Sequence, residues 1–81
     1  YEDWSVQLVE FLRPHRLFNE ALAVLDLTKH LDKLPADELM TGMRGDEAHD
    51  AWFDGETPRE YGDFLLEEWR AFGPAGDYGS V

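Results

Sequence analysis

Thr57-Pro58-Arg59-Glu60-Tyr61-Gly62-Asp63-Phe64-Leu65-Leu66-Glu67-Glu68-Trp69-Arg70-Ala71-Phe72-Gly73 carries both ends of a helix in its own letters. Thr57 supplies a hydroxyl cap. Pro58 suits the first helical position because it lacks the N–H that would go unpaired there, and Glu60 stands where its carboxylate can reach back to the cap. Gly73 and Pro74 stop the run. Between these signals Tyr61, Phe64, Leu65, Trp69 and Phe72 recur at helical spacing and predict an amphipathic helix over 58–72.

The rest of the chain repeats the period. Trp4, Leu8, Phe11 and Leu12 predict a helix over 3–12 that Pro14 ends. From 15 to 34, Leu17, Phe18, Ala21, Leu22, Val24, Leu25, Leu27, Leu31 and Leu34 leave only a narrow polar strip of Asn19, Asp26, His30 and Lys33. A helix that apolar is expected at the centre of the fold. A short helix over 36–43 places Asp37 and Glu38 in its first turn and groups Leu39, Met40 and Met43, while 46–55 offers one or two turns presenting Ala48, Ala51 and Trp52. The expected fold is therefore all-α, a small compact bundle of about four short helices. Residues 1–74 form one acidic domain and 75–81 a flexible C-terminal tail.

Composition bounds the chemistry. The chain has 81 residues, 18 Asp and Glu against 7 Lys and Arg, and a net charge of −11. Residues 1–35 hold six acids and four bases, whereas 36–81 hold twelve acids and three arginines. Direct binding of a nucleic-acid backbone is disfavoured, because that mode needs cations to displace counterions from phosphate. With 43% hydrophobic and 14% aromatic residues there is material for a core. The absence of cysteine removes disulfides, thiolate metal sites and cysteine nucleophiles. The longest apolar run, 21–25, is too short for a membrane span or a signal-peptide core. A soluble, cytoplasmic protein without membrane contact is expected, and the start at Tyr1 leaves open whether the chain is excised or processed.

No motif carries an activity. His15, His30 and His49 are far apart, and Asp46, His49 and Asp50 would make only a weak, hard metal site, so neither metal nor cofactor is expected. A calcium-loop register starting at Asp50 fails at Trp52 and Tyr61, where oxygen ligands are required. The two serines, Ser5 and Ser80, lie outside any nucleophile motif.

Glu68 falls within the apolar stripe of the 58–72 helix, so it reads as a buried or interface acid, bridged to Arg13, Arg16 or a tyrosine hydroxyl, or else meeting a partner's arginine. Glu60, Asp63 and Glu67, with Glu56 just ahead of the cap, line up on the other side as a row of carboxylates. Met40, Met43, Trp52 and Phe53 lie in the least regular part of the chain and are read as a contact patch or as core.

These features favour a non-catalytic acidic protein-interaction module, an accessory subunit or small inhibitor, which binds a basic surface of a partner protein such as a nucleic-acid-binding protein. One alternative is a DNA mimic occupying the nucleic-acid groove of an enzyme. The acid row alone is sparse for that: three charges over about 10 Å of helix, against one per ~3.4 Å of a DNA strand. A small carboxylate-based or metal-assisted enzyme, and acidity as an adaptation to high salt, complete the set.

Overall fold

Two glycines and two prolines set the ends of the two helices over 36–44 and 58–72. In the computed structural model, which describes residues 1–24 and 34–73, the described residues form five α-helices. They are α1 (Glu2–Leu12), α2 (Arg16–Val24), α3 (Ala36–Arg44), α4 (Glu47–Phe53) and α5 (Pro58–Phe72). Pro35 sits just outside α3 in an extended conformation, φ −54° and ψ 154°, and its carbonyl accepts from the Leu39 amide at 2.9 Å. Gly45, at φ 59°, ends α3, and Gly73, at φ 79°, ends α5, both in a region that side chains disfavour. The capping box at the start of α5 is complete. The Glu60 amide donates to Thr57 Oγ1 at 3.1 Å, and the Thr57 amide donates to Glu60 Oε1 at 2.9 Å.

The all-α bundle is as expected. α1 packs against both α3 and α5, α2 packs on α5, and α4 bridges α3 and α5. Leu8 and Leu12 of α1 are fully buried in one core with Phe18, Ala21 and Leu22, from the first part of the helix expected at the centre over 15–34. That helix is described only as α2, and 25–33 lie outside the described residues, as does the tail expected over 75–81.

The buried face of α5 is also rotated from expectation. It comprises Tyr61, Gly62, Leu65, Leu66 and Trp69, while Phe64 and Phe72 stand 47% and 73% exposed. Gly62 explains the shift. A Cβ there would lie 2.6 Å from Cε2 of Phe11 and 3.3 Å from Cδ1 of Leu8, so the missing side chain lets α1 and α5 approach closely. A helical wheel gives glycine no apolar weight, yet here it marks the line of contact. Around it, Trp4 meets Tyr61 with ring centroids 5.8 Å apart and Phe18 meets Trp69 at 6.4 Å.

Candidate functional site: an acidic groove between α4 and α5

The rotation of α5 leaves Phe64 and Phe72 unburied beside α4, and acids surround them. Two shallow depressions adjoin here, sharing Glu47 and Phe64, with volumes of about 240 and 460 Å³. Glu47, Asp50, Asp54 and Glu56 line the first. Glu67, Glu68, Ala71 and Phe72 continue the second. Among these lining residues there are six carboxylates and no Lys or Arg.

Arg44 lies beneath these lining residues. Its side chain is only 6% exposed, and both Nε and Nη2 donate to Glu47 Oε2, the former at 2.9 Å. Nη2 also lies 3.5 Å from Glu68 Oε2, and Nε is 3.4 Å from the Tyr61 hydroxyl. The Tyr61 hydroxyl itself donates to Glu47 Oε2 at 2.7 Å. One guanidinium thereby ties the end of α3 to the first turn of α4 and to two turns of α5. Burial opposes its charge, but the hydrogen bonds and attraction of Tyr61 and Glu47 outweigh burial and hold its pKa above the ordinary value. Burial, then the bond to the Glu47 carboxylate, pushes the Tyr61 phenol up, while Arg44 pulls the other way. Tyr61 stays a neutral donor at physiological pH.

A second tie sets the groove's outer lip. The Trp4 indole Nε1 donates to the Glu56 carbonyl at 2.7 Å, fastening the α4–α5 turn to the first turn of α1.

The residues singled out in the sequence divide accordingly. Glu56 and Glu67 line the groove; Glu60 and Asp63, though exposed, do not. Glu60 is committed to the cap, where hydrogen bonds from the Thr57 backbone and side chain hold its carboxyl below the ordinary value. Met40 and Met43 are 0% and 2% exposed, so they are core and present no contact patch. Regular structure does surround them, because α3 runs unbroken through Gly42 to Arg44. Trp52 and Phe53 are exposed but lie outside the groove; Trp52 packs with His49 and Tyr1, at centroid distances of 5.1 and 5.6 Å.

Among the described residues Glu68 does not bridge to Arg13, Arg16 or a tyrosine. It meets Arg44, because the rotation of α5 turns it toward α3 rather than α1, and Arg16 pairs with Glu20 instead at 3.3 Å. The sequence offers no binding role for Glu47, Phe64 or Phe72, and Asp50 and Asp54 enter it only through the weak metal site and the failed calcium-loop register. The signal available for them was a pair of phenylalanines flanking Glu67-Glu68, beside a mid-helix glycine.

The lining offers carboxylates and aromatic faces, with Tyr61 buried beneath. Among the described residues no group of three or more His, Asp or Glu is placed to hold a metal ion, and no helix is long and apolar enough to cross a membrane. The arrangement can attract cations and desolvate apolar groups. Comparison with protein-family models, with curated proteins and with solved structures finds no match for the chain.

Proposed function

We propose that the chain is a non-catalytic acidic interaction module that binds a basic surface of a partner protein through the α4–α5 groove, acting as an accessory subunit or small inhibitor. The observation that carries this reading is the pair of exposed phenylalanines, Phe64 and Phe72, within a lining of six carboxylates and no base. Burying one such ring contributes roughly 1.5–3 kcal/mol, and surrounding charge steers encounter and selects the partner. The DNA-mimic alternative draws less support, since it relies on the row of Glu56, Glu60, Asp63 and Glu67, of which Glu60 is engaged in the cap.

The test is retention of partner proteins from the native source on the immobilised chain at low ionic strength, followed by a salt step. Retention is expected to collapse when Asp50, Asp54, Glu56 and Glu67 are neutralised to Asn or Gln. Equal retention by that variant refutes the reading. Release of the bound protein by added duplex DNA would favour the mimic.

A further inference from the structure

We infer that the occupant of the α4–α5 groove is a basic amphipathic α-helix of the partner, an inference that rests on the groove being a protein-binding surface. The backbone argues first. Two helices bound the groove, the peptide groups along the middle of α5 are engaged within it, and no strand edge borders the groove among the described residues. An extended segment would find few N–H or C=O groups to pair with and would bury its own unsatisfied. A helix arrives with its backbone bonds already made.

Spacing argues next. Phe64 and Phe72 are eight residues apart on α5, about 12 Å along its axis. Apolar side chains seven or eight residues apart on a helix lying along α5 recur at about 10–12 Å, so one anchor meets each ring. Ala71, small and exposed next to Phe72, leaves room for the occupant's axis to come close at that end, while Glu68 stands between the two rings.

Charge then selects the flanks. Glu47, Glu67 and Glu68 border the phenylalanines, and Asp50, Asp54 and Glu56 continue the acidic wall toward the α4–α5 turn. Arg44 is engaged below by Glu47 and Glu68 and does not line the surface. The occupant supplies the missing cations as Lys or Arg on either side of its apolar stripe. A second copy of this chain fits poorly, since its own stripe would bring Glu67 and Glu68 against like charge.

The probe is a synthetic leucine–lysine peptide of about 18 residues, long enough to hold a helix, with leucines on one face. Its control is a scrambled peptide of the same composition. Titration into the labelled protein, followed by backbone amide shifts, is expected to move 47–56 and 64–72. The scrambled peptide is expected to bind at least about tenfold more weakly, and Phe64→Ala with Phe72→Ala to weaken the patterned peptide by about as much while the far-ultraviolet circular dichroism is unchanged. If the double variant loses helical signal, Ala71→Lys replaces it and carries the same expectation. Equal binding of the two peptides overturns the helical occupant while leaving charge-driven recognition standing. Absence of binding by either peptide overturns it too, and joined to absence of low-salt retention it removes the underlying reading as well. Self-association lost on substituting Phe64 and Phe72 assigns the groove to a second copy and overturns the proposal.

Discussion

Replacing Arg44 with Met removes a cation whose side chain is 6% exposed while keeping most of the stem that packs beneath the groove. Oxygens of three described residues, Glu47, Glu68 and Tyr61, face the change. Glu47 loses two hydrogen bonds and keeps the one from Tyr61, Glu68 loses its cation, and the Tyr61 hydroxyl keeps its donor bond but loses Arg44. Breaking a fully buried pair from one side costs about 3–5 kcal/mol. Here the carboxylates are only partly enclosed, at 47% exposure for Glu47 and 23% for Glu68, so water takes up much of the loss. With that discount, about 2 kcal/mol of folding stability is expected to go.

Urea unfolding followed by circular dichroism reads this directly. At a slope of about 1 kcal/mol per molar for a domain this small, the midpoint should fall by roughly 2 M. Because the guanidinium is enclosed, the gap should persist at moderate salt, unlike that of a surface pair. Glu68→Gln added to Arg44→Met should recover part of the loss by removing one stranded charge. A midpoint shift below about 0.5 M, or a double variant weaker than the sum of the singles, would refute a network organised by Arg44.

Thr57→Ala should lower stability by about 1 kcal/mol in the same assay, the usual effect of losing a hydroxyl cap. Glu60 has a folded pKa depressed from 4.5, so its contribution is present above 4.5 and is lost as pH falls through the folded value. The gap between the natural chain and Glu60→Ala should therefore be widest at neutral pH and close in acid; a gap independent of pH contradicts this. Tyr61 shifts the other way, upward from 10.0, so its contribution is complete below pH 10.0 and is lost as pH rises through the folded value. Alkaline denaturation should come at lower pH for the natural chain than for Tyr61→Phe once the two are matched for stability at neutral pH. Ser5 is fully buried and its hydroxyl has no hydrogen-bond partner, so Ser5→Ala should raise stability by about 1 kcal/mol, and a thermal melt showing a clear loss would reveal a partner. Gly62→Ala gains about 1 kcal/mol of helix propensity but drives a methyl into the Phe11 ring at about 1–3 kcal/mol, so a net loss near 1 kcal/mol is expected and a gain would mean that Phe11 swings aside.

Local signals carried the fold well. The cap at Thr57, the prolines at 14, 35 and 58 and the glycines at 45 and 73 act over a few residues, and each does in the structure what its chemistry dictates. The facing of α5 was less accessible, because it depends on Gly62 meeting Phe11, residues 51 positions apart whose fit no helical period records. That one rotation accounts for most of what the sequence did not disclose about the site. It exposes Phe64 and Phe72, turns Glu68 to Arg44 and leaves Glu60 and Asp63 outside the groove. For the methionines the sequence left two readings, contact patch or core, because Gly42 lowers the helix propensity of 36–43; tertiary packing sustains that helix and its methionines are core.

The bond from the Trp4 indole to the Glu56 carbonyl limits how the groove can be transplanted. Every lining residue falls between Glu47 and Phe72, so a helical hairpin of that span holds the whole recognition surface in its primary structure. Yet Arg44 beneath it, Gly62's packing against α1 and the lip fastened by Trp4 all draw on residues outside that hairpin. A grafted α4–α5 segment would carry the letters of the site without the width or tilt that make it fit a guest, unless the host scaffold supplies a donor at the Glu56 carbonyl and a cation under Glu68.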